Sequence, residues 1–178
     1  MINKITISGK AGSGKSTIGK HLAELINYEF ISVGELTRKY AKQNFQMNIQ
    51  EFQKLCTKNP NYDLKMDEFI IKYGQTHDRL ILDYRLGFKF IPEALSIYLR
   101  ISKEEAAKRL LKSIRKDEFM ILDYENILKD ITTRNNNMRE RFKLLYNTDF
   151  YDEANYNLII DVTYLSINEI TTIIINNL

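Results

Sequence analysis

The chain has 178 residues, 44% of them hydrophobic and 28% charged, with a formal net charge of +3, which is typical of one soluble globular domain with a substantial core. Its basic residues are spread along the sequence, which argues against a nucleic-acid binder, and no apolar run approaches the roughly 20 residues of a membrane span. A single cysteine, Cys56, excludes an intrachain disulfide, and the short apolar opening does not fit a signal peptide, so we expect a cytoplasmic protein.

Hydrophobic spacing predicts strands that alternate with helices along the whole chain. The predicted strands cover residues 4–8, 30–33, 79–82, 95–100 and 158–161. The predicted helices cover residues 15–26, 35–44, 49–57, 62–73, 106–111 and 124–146, and a last one begins at Ser166. Ser102 and Glu105 form a predicted capping box before the helix at 106. This order predicts an α/β fold, a five-stranded parallel sheet flanked by helices, with ligands at the carboxyl ends of the strands.

The glycine-rich segment after the first strand fits G-x-x-x-x-G-K-[ST] between a strand and a helix, the pattern of a triphosphate-binding loop. Its glycines allow successive backbone N–H groups to turn inward, and the helix N-terminus adds partial positive charge. We expect Lys15 to reach the β- and γ-phosphates and Ser16 to complete a magnesium shell. The residues predicted to bind the nucleotide are Gly9, Lys10, Ala11, Gly12, Ser13, Gly14, Lys15, Ser16 and Thr17. Within this set Lys10 is expected to be solvated, and Thr17 to cap or pack the helix.

Two segments that follow predicted strands carry further phosphate-binding candidates. Arg38 lies one turn inside the helix introduced by Gly34, where its guanidinium can form a bidentate pair with a phosphate. Asp83 and Arg85 follow the strand at 79–82, so the carboxylate can hold magnesium or its waters and the arginine can face an acceptor phosphate. The alternatives are a solvated arginine on an amphipathic helix at Arg38 and an ion-paired turn at Asp83.

A third set of cations lies in the second half of the chain and comprises Arg109, Arg134 and Arg141. Arg134 and Arg141 are seven residues apart, so on a helix they lie about 20° apart on one face. They accompany an apolar stripe, an arrangement that predicts a lid closing over a transferred phosphate. The alternative is a solvated helix face.

The remaining motifs separate the classes of protein that use such a loop. A regulatory GTPase requires a D-x-x-G switch and an N-K-x-D guanine reader, and neither is present in the sequence. A motor or clamp ATPase usually requires a longer chain. The arginines therefore indicate phosphoryl transfer.

Together these segments resemble the nucleoside monophosphate kinases, and most closely the short cytidylate kinases of the archaeal type. The segments that carry the resemblance are residues 5–9, 32–38, 90–94 and 133–143. The resemblance implies one P-loop nucleotide kinase domain over residues 1–178, with a monophosphate-binding segment at 34–75 and a lid at 108–140. Tyr84 departs from the family pattern, which has a small residue before the arginine, and Asn135–Asn137 depart from its acidic and serine residues.

The resemblance also implies a reaction and residue roles. ATP would be bound by Gly12 to Ser16 with Mg²⁺ at Ser16 and Asp83, and its γ-phosphoryl group would pass to CMP or dCMP in a monomeric enzyme. Arg38 and Arg85 would hold the acceptor's α-phosphate, while Arg109, Arg134 and Arg141 would be lid arginines. Three alternatives remain: a kinase with a hydroxyl acceptor and Asp83 as base, an adenylate-specific kinase, and a nucleotide-binding regulatory protein without turnover.

Overall fold

The computed structural model describes residues 2–113 and 124–178, and its centre is a sheet of five parallel strands. The strands are β1 (Lys4–Gly9), β2 (Glu29–Ser32), β3 (Leu80–Asp83), β4 (Leu95–Arg100) and β5 (Leu158–Asp161), in the order β2-β3-β1-β4-β5. Ile7 of β1 lies opposite Asp83 of β3 and Ile97 of β4. The predicted parallel α/β sheet is therefore confirmed, and the carboxyl ends of β1 and β3 are neighbours.

Helices surround this sheet. In the described residues they are α1 (Lys15–Ile26), α2 (Val33–Phe45), α3 (Ile49–Lys58), α4 (Asn61–Thr76), α5 (Gly87–Phe90), α6 (Lys103–Ser113), α7 (Tyr124–Tyr146) and α8 (Ile167–Ile175), with a 3-10 helix at Glu153–Asn155. Across residues 2–113 and 124–178, no helix has both the length and the apolar composition needed to cross a membrane.

The junction of β2 and α2 differs from the prediction, which extended the strand to residue 33. The strand ends at Ser32, whose hydroxyl accepts a hydrogen bond from the Glu35 N–H at 3.3 Å and so caps α2. The helix consequently begins at Val33, two residues before the predicted start. At α6 only half of the predicted capping box is present. Ser102 Oγ accepts from the Glu105 N–H at 3.2 Å, but the Ser102 N–H donates to Thr163 Oγ1 instead of the Glu105 side chain.

Alternating side chains of the strands fill two cores, one on each face of the sheet. Ile5 and Ile7 of β1 pack with Leu22 of α1 and Ile170 of α8 on one face. Leu80 and Leu82 of β3 belong to the core on the other face, and the members it takes from outside the strands include Ile70, Ile91 and Phe150. Both faces of the sheet are thus covered, which leaves its carboxyl edge as the place where polar groups can meet.

A glycine at the start of α5 sets the distance between this helix and the sheet. A Cβ added at Gly87 would lie 2.4 Å from Cβ of the buried Thr6, so no side chain fits there. We expect Gly87→Ala to lower the free energy of unfolding by about 1–3 kcal/mol, measured by urea denaturation. Gly34→Ala is the matched control, because its added Cβ would meet Arg38 Nη1 at an ordinary 3.6 Å. Equal unfolding midpoints for the two variants would contradict the packing described for Gly87.

Candidate functional site

The phosphate loop between β1 and α1 has backbone angles that require glycine. Gly9, Gly12 and Gly14 have φ values of 146°, 84° and 84°, a region that other residues rarely adopt. The loop is also packed tightly, because a Cβ at Gly9 would lie 2.5 Å from the Leu99 carbonyl oxygen and one at Gly12 would lie 2.8 Å from the Ala106 carbonyl oxygen. The loop therefore packs directly against β4 and α6.

The N-terminus of α1 is prepared for an anion. Its N-cap, Gly14, provides no side-chain hydrogen bond, whereas α2, α3 and α8 are capped by Ser32, Asn48 and Ser166. The first N–H groups of a helix have no intrahelical partner, and together with the helix dipole they favour a phosphate. Ser13 Oγ is also buried in the loop without a hydrogen-bond partner. These donors fit the phosphates of a nucleotide.

Lys15 places a cation inside this loop. Its side chain is buried, and Nζ donates hydrogen bonds to the carbonyl oxygens of Gly9 and Lys10, both at 3.0 Å. The neighbouring predicted residues lie further out. Lys10 is half-buried with Nζ 5.6 Å from the centre of the Tyr151 ring, and Thr17 is exposed.

A carboxylate and a hydroxyl meet at the adjacent ends of β1 and β3. Ser16 Oγ donates to Asp83 Oδ2 at 2.5 Å, and Ser32 Oγ donates to the same oxygen at 3.3 Å. Asp83 is only 9% exposed, although it lies at the sheet edge beside the phosphate loop. A serine hydroxyl and a carboxylate next to bound phosphates are the oxygen ligands that Mg²⁺ prefers. The residues therefore fit the ion.

A cavity opens directly in front of this pair, between α2, α3, α4 and α7. We call it the central cavity. At the sheet edge it is lined by Lys15, Ser16, Arg38, Asp83 and Arg85, and farther out by Phe52, Gln53, Cys56, Tyr62, Asp63, Met66, Asp67 and Arg141. The structure thus brings the predicted magnesium ligands and the first two predicted arginines to one space.

Arg38 and Arg85 both line this cavity, but they differ in how far their side chains are buried. Arg38 is exposed on α2. Arg85 is partly buried, its guanidinium lies 6.0 Å from the centre of the Phe150 ring, and its Nε is buried with no hydrogen-bond partner. An unpaired buried donor on a cation is costly unless a ligand completes it, so Arg85 suits an anion.

The predicted lid arginines are not gathered at one point. Arg109 donates to Glu105 Oε1 at 3.1 Å and to the Val162 carbonyl oxygen at 2.7 Å, which holds it beside the start of α1. There it lines a second cavity, the flanking cavity, with Gly14, Thr17, Leu165 and Ile167 among its other lining residues. Arg141 lies instead in the central cavity. Arg134 is on α7, but its side chain and residues 114–123 of the predicted lid lie outside the described part of the structure.

A buried acidic network on α4 was not predicted from the sequence. Tyr84 donates its hydroxyl to Asp67 Oδ1 at 2.5 Å, and Tyr146 donates to Oδ2. Burial raises the pKa of Asp67, although the hydrogen bonds from the two tyrosines lower it in part. The pKa of Tyr84 is raised mainly by burial and also by the nearby charge of Asp67. Asp63 lies four residues before Asp67 on a predicted helix. Two acids at this spacing share one helix face, so the pair could have indicated an acidic site from the sequence alone.

The chain is similar in sequence and in fold to several known proteins. A family model described as an AAA domain matches residues 5–129. A cytidylate kinase of Pyrobaculum islandicum is 32% identical over 166 residues, which are 93% of this chain and 86% of that protein. An S-adenosylmethionine-dependent nucleotide dehydratase of Lacinutrix mariniflava is 41% identical over 177 residues, 99% of this chain, but the chain spans only 36% of that protein. A shikimate kinase from Bacteroides thetaiotaomicron has the same fold, with a TM-score of 0.67 over 99% of this chain and 98% of its own at 13% identity.

Proposed function

We propose that this chain, which belongs to the family of the archaeal-type cytidylate kinases, transfers the γ-phosphoryl group of ATP to a nucleoside monophosphate. In this proposal the acceptor is CMP or dCMP. One observation carries the proposal. The phosphate loop, the Ser16–Asp83 pair and two arginines line a single cavity at the carboxyl edge of the sheet. The likeness to a nucleotide dehydratase supports a nucleotide as the acceptor, rather than a hydroxyl-bearing acid or sugar.

The donor end of the reaction is served by groups on β1, α1 and β3. The N-terminus of α1 and the glycine loop bind the ATP phosphates, and Lys15 neutralises charge on the β- and γ-phosphates. Ser16 and Asp83 would hold Mg²⁺, and the ion would stabilise the charge of the transferred group. In this proposal the adenine occupies the flanking cavity beside Arg109.

The acceptor end requires positioning rather than a base. An α-phosphate oxygen of the monophosphate, already anionic at neutral pH, attacks the γ-phosphorus, and the bond between that phosphorus and the β–γ bridging oxygen breaks to release ADP. Arg38 and Arg85 hold the α-phosphate in line for this attack. In this proposal residues 34–75 form the acceptor side, and the described parts of the predicted lid, residues 108–113 and 124–140, would close over the nucleotides and exclude water.

Arg38 provides a test of the acceptor side. We expect Arg38→Ala to raise the KM for CMP by about 10- to 100-fold, since one charged hydrogen bond is worth roughly 1.5–3 kcal/mol. The Kd for ATP, measured by titration calorimetry, stays within about threefold of the wild type because the phosphate loop is intact. Lys39→Ala is the matched control, being exposed on the same helix. Loss of ATP affinity equal to the loss of CMP affinity would show that Arg38 is on the donor side.

The reaction itself is tested by ADP release with Mg-ATP and a panel of acceptors. The panel contains CMP, dCMP, UMP, AMP and GMP, together with shikimate and gluconate as hydroxyl acceptors. Selective turnover of CMP and dCMP is the expected result. If ATP binds but no monophosphate is phosphorylated, the proposed function is wrong, and turnover of a hydroxyl compound alone would replace it with the hydroxyl-acceptor alternative.

A further inference from the structure

Helix α7 borders the central cavity and, on another of its faces, a further cavity of about 310 Å³ that we call the side cavity. Met138 and Arg141 line the central cavity. The polar residues of α7 that line the side cavity follow one another at helical spacing and so share one face, and they are Thr132, Asn135, Asn136 and Arg139. The phosphoryl transfer proposed above gives this face of α7 no role.

Two exposed arginines of the side cavity are held by carboxylates. Arg100 Nε donates to Glu153 Oε1 at 2.8 Å, and Arg139 Nε donates to Asp149 Oδ2 at 2.9 Å. Because each carboxylate offsets one guanidinium, these pairs add little net charge to the cavity wall.

Two lysines supply the remaining positive charge of the side cavity. Lys10 and Lys103 line it, and across residues 2–113 and 124–178 neither forms an ion pair with a carboxylate. Lys10 Nζ lies 5.6 Å from the centre of the Tyr151 ring. Lys103 is the first residue of α6, an end at which the helix dipole disfavours a cation. Lys103 therefore does not serve the stability of its helix, and the two lysines make the cavity attractive to an anion.

We propose that the side cavity binds a second nucleotide, with its phosphate groups at Lys10 and Lys103 and its base against Asn135 and Asn136. Lysine binds phosphate as a point charge, and an amide both donates and accepts hydrogen bonds, as the edge of a base requires. Ligand pockets usually measure about 300–1,000 Å³. A volume of about 310 Å³ therefore suits a mononucleotide and exceeds the need of one phosphate ion.

Lys10 connects the side cavity to the phosphate loop. Its side chain lies in the cavity, while its carbonyl oxygen accepts hydrogen bonds from Lys15 Nζ at 3.0 Å and from the Ser13 N–H at 3.3 Å. Phosphate groups at Lys10 place negative charge beside the loop that binds ATP, and like charges repel. The second nucleotide therefore weakens ATP binding, and by linkage ATP weakens the second nucleotide by the same factor.

Calorimetry counts this site once the donor and acceptor sites are blocked. The protein is first saturated with adenosine and cytidine joined at their 5′ oxygens by five phosphates. ATP, GTP, CTP, UTP and inorganic triphosphate are then titrated separately in the presence of Mg²⁺. We expect one further equivalent of at least one nucleoside triphosphate to bind, about 10-fold or more tightly than inorganic triphosphate, because the amides add about two neutral hydrogen bonds.

Two results of this titration would overturn the inference. If no triphosphate binds beyond the blocking compound, the side cavity is not a site. If inorganic triphosphate binds as tightly as every nucleotide, the cavity holds phosphate groups and does not recognise a base.

A lysine variant locates the bound phosphates. Lys103→Gln should weaken the further equivalent by about 10-fold, the low end for a charged hydrogen bond at an exposed position. Lys108→Gln, which removes the same charge from an exposed position on the same helix, should keep the wild-type Kd. An equal loss in both variants would mean that the nucleotide responds to surface charge in general, and the site in the side cavity would be wrong.

An asparagine variant locates the base. Asn136→Ala should weaken the nucleotide by about 3- to 10-fold, the range for one neutral hydrogen bond, and leave the Kd of inorganic triphosphate unchanged. Asn137→Ala, at the next exposed position of α7, is the matched control. If Asn136→Ala binds the nucleotide like the wild type, the base does not lie against α7.

Rate measurements test the link to the phosphate loop. The bound nucleotide should raise the KM for ATP to a plateau about fivefold or more above its starting value, and Lys103→Gln should need about 10-fold more nucleotide to reach it. If ATP itself is the second nucleotide, inhibition by excess ATP takes the place of the plateau. A rise without limit that is identical in the wild type and Lys103→Gln would mean competition within the phosphate loop and would overturn the link.

The side cavity and the proposed function are tested separately. A protein that phosphorylates CMP but takes up no further nucleotide has the proposed function without this site. A protein that takes up the further equivalent but phosphorylates no monophosphate has this site without the proposed function, since the adenosine end of the blocking compound still fills the phosphate loop.

Discussion

A Lys15→Met variant is expected to lose at least about 10³-fold in kcat while it stays folded. Methionine keeps the length and volume of the side chain but removes the charge that the phosphate loop holds at the carbonyl oxygens of Gly9 and Lys10. Removing one preorganised donor to a developing charge typically costs 10²- to 10³-fold, and the lysine also contributes its full positive charge to the phosphates. The measurement is single-turnover phosphoryl transfer at saturating ATP and CMP.

The control for this variant is Lys20→Met, which removes an exposed lysine from the same helix. Lys20 forms a surface ion pair with Glu35 at 3.1 Å, and such pairs contribute about 0–1 kcal/mol, so activity should be unchanged. Thermal unfolding of both variants reports on the fold. If Lys15→Met retained a tenth of the wild-type rate, the lysine would not stabilise the transferred group.

The second large effect is expected at Asp83. Asp83→Asn should lower kcat by about 10²- to 10³-fold and raise the Mg²⁺ concentration for half-maximal rate, because one anionic ligand of a hard cation becomes neutral. The amide oxygen can still accept the hydrogen bond from Ser16, which lies 2.5 Å from Asp83 Oδ2. A Mg²⁺ titration of the rate at fixed ATP checks this expectation.

Measuring the unfolding midpoint of Asp83→Asn distinguishes a loss of activity at the site from a loss of the fold. Asp83 is only 9% exposed, so removing its charge relieves a desolvation cost, and the unfolding midpoint should be unchanged or higher. Asp78→Asn, at an exposed position before β3, is the control and should keep both rate and Mg²⁺ dependence. An unaltered Mg²⁺ dependence in Asp83→Asn would place the metal elsewhere.

The sheet and the phosphate loop could be predicted because their signals are local. Short β-branched runs, glycine spacing and helical periodicity depend on neighbouring residues, and the structure confirms the five parallel strands. Two short elements, α5 and the 3-10 helix, span four and three residues and carry no periodicity to detect. The end of β2 was misplaced because the hydroxyl of Ser32 caps α2, a choice that hydrophobic patterning does not encode.

The remaining site residues depend on contacts between distant segments. Tyr84 stood out in the sequence as a departure from the family pattern, but its partner Asp67 is 17 residues away and Tyr146 is 79 residues from Asp67. Arg109 and Arg141 were grouped by their charge. The Val162 carbonyl oxygen holds the first beside the phosphate loop, and Asp63 holds the second in the central cavity. Such pairings are set by tertiary packing, so sequence spacing alone could not separate them.

The register of the sheet also bears on how this protein can change during evolution. β1 and β3 are paired along their length, and the hydrogen bond from Ser16 in the first turn of α1 to Asp83 at the end of β3 joins that helix to the sheet edge. Asp63 and Arg141 belong to α4 and α7, which no strand pairing joins. Under the proposed function, substitutions on those helices would leave the Ser16–Asp83 pair in place, so the acceptor side of the central cavity could change during evolution more readily than the donor side.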